Sequence, residues 1–172
     1  KGYYREAGLD VVIREAMPGL DLAGELASGR ADYLVNNPSA LLDRAAGKPV
    51  VALAAIFQHS PLTIISRKES NILSPTDLAG RDAMIIPETE SELVAMFINE
   101  GIRLDQINVI PHSWDVDSLV KGDVEAISAY MTDAPFWLEE KGVAYNQLRP
   151  LTYGIDFYGD VLFTTEDEIE EH

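Results

Sequence analysis

The sequence has 172 residues, with 13 lysines and arginines against 29 aspartates and glutamates, a net charge of −16. Its 47% hydrophobic content excludes a disordered chain, and the lack of cysteine excludes a disulfide scaffold and a cysteine-ligated zinc or iron–sulfur site. The acidity argues against nucleic-acid backbones and anionic membranes as partners.

The chain opens at Lys1, with no signal peptide, and residues 1–8 read as a helix tail closed by a glycine C-cap. The spacing predicts a strand over 9–14, a helix over 20–28 and a strand over 31–35. Asn37 caps a further helix with Pro38 in its first turn, ending at Gly47. Two strands follow over 50–57 and 62–66; the first is the longest apolar run, far short of the roughly 20 residues that cross a bilayer. Residues 74–78 form a short capped helix, and 82–86 a strand.

Thr89 and Glu92 have capping-box spacing for a helix carrying Leu93, Met96 and Phe97 inward. A strand over 108–111 leads to a helix capped by Asp115, and a strand over 126–129 to a helix capped by Asp133 with Pro135 in its first turn. Strands over 148–152 and 160–164 close the pattern. Thr165 and Glu168 then open a helix that stops almost at once, so both ends read as cut from a longer protein.

This alternation predicts an α/β fold with mainly parallel sheets. A helix, a glycine, an acidic residue, a strand and a proline-bearing capped helix recur from Glu25 to Gly47 and from Ser118 to Gly142, which suggests two lobes of similar build.

Phosphate-cradling glycine loops, nucleophile elbows and zinc-helix motifs are missing. His59, His112 and His172 are too scattered to suggest a metal site, so neither a metal nor a cofactor is indicated, and enzymatic chemistry has no positive signal.

The ordered segments resemble a known family. Residues 1–11, KGYYREAGLDV, are similar to the "kGyf..eGLdV" segment of periplasmic solute-binding proteins. GRADY over 29–33 resembles their "G.aDf" step, and 47–62 their "GkpvvalaaifQ.splvl" stretch. SPTDLAGR over 74–81 resembles "sp.DLkGk", and GDVEA over 122–126 resembles "G.vDA". The nearest branch binds thiamine pyrimidine precursors, with alkanesulfonate binders as cousins.

The resemblance implies a type II two-lobe periplasmic-binding-protein-like clamp, truncated at both ends, closing on its ligand about a hinge. The first lobe would hold 1–68 and 159–172, the second 69–158, with hinges near 66–71 and 153–158. It implies an extracytoplasmic location and an ABC permease or a fused membrane sensor output domain as partner. Pyrimidine-precursor synthases of thiamine biosynthesis share the resemblance but carry a cysteine-rich, iron-associated motif that this chain lacks. A scaffold or dimerisation domain with a dead pocket is the remaining alternative.

Ligands of open α/β sheets lie beyond the carboxyl ends of the strands. That rule selects Asn36, Asn37 and Ser39, then Gln58 and His59, then Glu88 and Thr89, and finally Tyr130 and Asp133. Trp114 and Asp115, with Asp156 and Tyr158, would add an aromatic and acidic wall. Several have a plainer reading, Asn37 and Asp133 as helix caps and Trp114 as core. Glu88, Glu90 and Glu92 at one helix start complement its dipole and would repel an anion. A neutral or cationic nitrogenous ligand, such as a thiamine pyrimidine precursor, is therefore expected.

Overall fold

A computed structural model describes residues 1–17 and 19–172. The chain builds two sheets, and each marks one lobe. The first has the order β1-β8-β2, formed by Leu34–Asn36, Val161–Thr165 and Val50–Ala55. The second has the order β5-β4-β6-β3-β7, formed by Asn108–Ile110, Asp82–Met84, Ala126–Tyr130, Leu62–Arg67 and Tyr145–Leu148.

The α/β class and the two-lobe architecture hold, but the sheets are mixed rather than mainly parallel. β4 runs parallel to β5 and β6, whereas β3 runs antiparallel to β6 and β7, and β8 antiparallel to β1 and β2. The reversed strands are the ones that carry the chain between lobes. β8 arrives from the second lobe and lies between β1 and β2, while β3 leaves the first lobe and enters the second sheet.

Each strand's faces explain the packing. Successive side chains point to opposite sides of a sheet, and Ile64 and Ile65 of β3 enter different cores. One face of the second sheet is covered by Leu93, Met96 and Phe97 of α4 (Ser91–Asn99). The other is covered by Leu119 of α5 (Asp117–Lys121) and Leu138 of α6 (Ala134–Glu140). The first lobe has one smaller core, in which Phe163 of β8 meets Leu26 of a helix over Leu22–Ala27, Leu34 and Val50.

Two expectations change at the level of elements. Residues 9–14 form no strand, and Val12 and Ile13 are exposed. β3 belongs to the second sheet, so the chain passes from one sheet to the other over 56–61. The return crossing runs over 157–160, directly alongside. Late in the chain, the strand expected over 148–152 lies at Tyr145–Leu148, because Pro150 starts a 3-10 turn.

Two local helix-start signals held. The Asp133 carboxylate accepts from the Ala134 amide at 2.6 Å, and Thr165 Oγ1 accepts from the Glu168 amide at 3.1 Å at the start of the last helix, Glu166–Glu171.

Candidate functional site

The two crossing segments are bonded to each other main chain to main chain and form the doubled connection between the lobes, the hinge of the two-lobe reading. The Ile56 amide donates to Asp160 O at 2.7 Å, the Gly159 amide to Phe57 O at 2.9 Å, and the Ser60 amide to Phe157 O at 2.8 Å. Gly159 is required by this approach, since a Cβ there would lie 2.7 Å from Phe57 Cβ and 2.8 Å from Pro61 Cδ. Phe57 also meets the Tyr130 ring edge-on, with centroids 6.5 Å apart.

Above the hinge, the lobes touch through polar side chains. Asn37, in the turn between β1 and α3 (Ala40–Ala45), donates its amide to Thr89 O at 2.8 Å. Its other atom, Oδ1, accepts from the Ser39 amide at 2.9 Å and from the Ser39 hydroxyl. Ser39 rather than Asn37 is the helix N-cap, and Asn36 Oδ1 is turned back onto the Asn37 amide at 2.9 Å.

Closer to the hinge sit two buried carboxylates. Glu90 is 8% exposed and stands at the N-cap position of α4, but its carboxylate bonds elsewhere, one oxygen accepting from the Ile86 amide at 2.7 Å and the other from Ser128 Oγ at 2.6 Å. Glu92 is 7% exposed, and its Oε1 accepts from Ser60 Oγ on the hinge at 2.6 Å. The expected Thr89–Glu92 capping box is therefore not formed, because the Glu92 side chain turns away from the helix start to meet Ser60. Burial raises the pKa of Glu90, against the pull of its two hydrogen bonds. Burial pushes Glu92 up to about 7, with the nearby Glu90 adding to the rise. Tyr130 is raised as well, first by burial and then by Asp160, which accepts from its hydroxyl at 3.0 Å.

His112 stands on the far side of Ser128. The Trp114 amide donates to its Nδ1 at 2.9 Å, so Nε2 carries the hydrogen and donates to Ser128 O at 2.8 Å. Trp114 itself is 68% exposed, tilts against the His112 ring at 4.8 Å, and has φ 64. That left-handed backbone is unusual for a bulky residue. Trp114 is an exposed residue, not core.

The structure thus brings Asn37, Ser39 and Thr89 together at one contact and sets Tyr130 beside the carboxylates. His59 and Asp156 form an exposed pair at 2.8 Å on the hinge. Five other expected residues stay apart. Asp133 and Asp115 are exposed and occupied with amides of their own helices. Gln58 makes only a long 3.4 Å bond to Ala55 O, and Tyr158 points to solvent. Glu88 is exposed too.

Sequence reasoning reached Ser60 as part of the loop after the third strand and read Glu92 as a dipole complement, but it missed Ser128 and Asp160. The cluster of three glutamates was the one visible signal, and only its burial distinguishes Glu90 and Glu92 from dipole complements. Two open grooves lie elsewhere: one of 520 Å³ beside Arg67, Val120 and Val143, and one of 330 Å³ beside Leu41, Arg44 and Phe163.

Among the described residues, no group of three His, Asp or Glu side chains is arranged to hold a metal. No helix of the described residues is long and apolar enough to cross a membrane.

A family model described as NMT1/THI5 like matches residues 1–172. No curated protein matches the sequence. Among solved structures, a protein of Bordetella bronchiseptica RB50 superposes with a TM-score of 0.76 at 20% identity, covering 98% of this chain and 58% of its own. The alkanesulfonate-binding protein SsuA of Xanthomonas axonopodis pv. citri, bound to MOPS, gives 0.66 at 16%, covering 87% of this chain and 53% of its own. An ABC uptake transporter substrate-binding protein of Streptococcus pneumoniae with bound histidine gives 0.69 at 14%, covering 98% and 68%. These likenesses establish the fold. The chain spans little more than half the length of the first two.

Proposed function

The chain belongs to the NMT1/THI5-like family, and from that premise we propose that it binds a small solute between its lobes and closes on it about the doubled hinge. The observation that carries this reading is the polar seam between the lobes. Asn37 and Thr89 join across it, and Ser60 joins Glu92 beside the hinge. Such contacts form or break when lobes rotate, so occupancy is converted into a change of shape. The neighbours that hold MOPS and histidine share the fold, which supports a binding role without a chemical step.

The ligand of this reading is neutral or cationic and nitrogenous, such as a thiamine pyrimidine precursor. Two buried carboxylates at the seam disfavour an anion. The reading places the protein outside the cytoplasm, serving an ABC permease or a fused sensor domain. The proposed contact set keeps Asn36, Asn37, Ser39, His59, Thr89, Trp114, Tyr130 and Asp156 and adds Ser60, Glu90 and Glu92.

A thermal-shift series with an aminopyrimidine, a polyamine and an alkanesulfonate tests it. A ligand at a hundredfold excess over its Kd adds about 2.7 kcal/mol, roughly 5–11 °C for a chain of this size. A shift with the nitrogenous compounds alone is expected. A shift with the sulfonate alone would overturn the ligand class, and no shift with any of them would count against solute binding.

A further inference from the structure

Of the polar atoms gathered at the seam, one carboxylate oxygen is left over. Glu90 has both oxygens engaged, by the Ile86 amide and Ser128. The Tyr130 hydroxyl donates to Asp160. The Ser60 hydroxyl donates to Glu92 Oε1. Glu92 Oε2 is buried and has no partner, on a residue that is itself 93% buried. An unmet acceptor of this kind costs about 1–3 kcal/mol, and more when charged.

Among the described residues, Glu92 itself has no cationic partner. The groups facing Glu92 are Ser60 from the hinge, Glu90 from its own helix and Tyr130 from β6, with Asp160 behind Tyr130. His112, on the far side of Ser128, receives the Trp114 amide at Nδ1 and bonds Ser128 O through Nε2, and it bears on Glu90 rather than on Glu92. Among the described residues, no lysine or arginine bonds to either glutamate. A buried carboxylate in such a place must hold a proton or receive a positive partner from outside. A metal ion is a poor match, because no third ligand is arranged beside the pair.

We propose that Glu92 Oε2 is the anchor for a protonated nitrogen of the solute, a primary ammonium or a ring amidinium, and that binding expels a proton from Glu92. This rests on the solute-binding reading and adds its charge chemistry. In balance, the neutral Glu92 acid and the cationic ligand become a carboxylate–cation hydrogen-bonded pair, and the acid's proton passes to solvent. Tyr130 and the Phe57 edge give the ring an apolar wall on one side. The Ser60 bond to the other oxygen couples this pairing to the hinge.

Titration calorimetry tests this with two probes, 4-amino-5-aminomethylpyrimidine and its 5-hydroxymethyl analogue, which lacks the ammonium. Runs in two buffers of different ionisation enthalpy count the protons. The ammonium probe is expected to bind at least about tenfold tighter. With Glu92 at about 7, it releases about 0.9 proton at pH 6 and about 0.1 at pH 8. Glu92→Gln removes both the preference and the release, while Ser60→Ala, which keeps Oε2, retains the preference.

Equal binding of the two probes, or no proton release by the wild-type protein at pH 6, would overturn the anchor and leave solute binding standing. Failure of both probes to bind the wild-type protein would overturn the two together. The proton count needs no variant, so a misfolded Glu92→Gln protein does not remove the test.

Discussion

The Asn37 side-chain amide reaches 2.8 Å across the seam to the main-chain oxygen of Thr89, and the same side chain's oxygen is held by Ser39. One residue therefore both shapes its own turn and joins the lobes. Asn37→Asp separates the two roles, since the carboxylate still accepts from Ser39 but now faces the Thr89 carbonyl with no donor. The expected result is a shift toward the open form and a loss of about 1 kcal/mol, or fivefold, in ligand affinity. Small-angle scattering and titration read the two effects.

Stability should depend on pH through Glu92. Its folded pKa, about 7, lies above its ordinary value of 4.5, so the folded state holds the proton more tightly than the unfolded state. The stabilisation is complete below about 4.5 and is lost as pH rises to 7, in total about 3 kcal/mol. Glu90, also raised by burial, adds to the same trend. Glu92→Gln should flatten this part of the profile, as compared in denaturant midpoints at pH 5 and pH 8. A wild-type profile rising over that range would contradict the burial of both groups.

Gly159 lies where the two crossing segments run side by side. An added methyl meets Phe57 Cβ and Pro61 Cδ, atoms tied to the backbone rather than flexible side-chain ends. Gly159→Ala should cost about 1–3 kcal/mol, seen as a lowered Tm. The same change at Gly142, whose φ of 69 is left-handed but which has open space around it, tests backbone strain without crowding.

Trp114 gives nothing to the core and keeps a left-handed φ of 64. Strain retained at an exposed aromatic points to use by a ligand. Trp114→Gly should leave Tm equal or higher while weakening ligand affinity. An unchanged affinity would remove Trp114 from the site.

The parts of this molecule that were legible in its sequence are those whose cause is local. Asp133 followed by Pro135, and Thr165 followed by Glu168, start helices wherever the rest of the chain goes. Residues 9–14 are rich in β-branched residues, yet a strand needs a partner, and none of the described residues pairs with them. β3 carries Leu62, Ile64 and Ile65 on both of its faces, which reports burial on two sides but not in which sheet. The pairing of Ser60 with Glu92 joins residues 32 apart, on a hinge and a helix. No spacing rule reaches that far, so Glu92 read as a helix-dipole partner until the fold was in place.

The position of β8 also sets an order of assembly. All five strands of the second sheet lie within residues 62–148, so that lobe can form while the chain is still being made. The first lobe has β1 and β2 early, but they do not touch; the strand that joins them is residues 161–165. Until it emerges from the ribosome, Leu34 and Val50 lack Phe163 as their shared neighbour. The lobe that begins first is therefore the one that finishes last, and a nascent chain stopped before residue 161 would present one protease-resistant half and one digestible half.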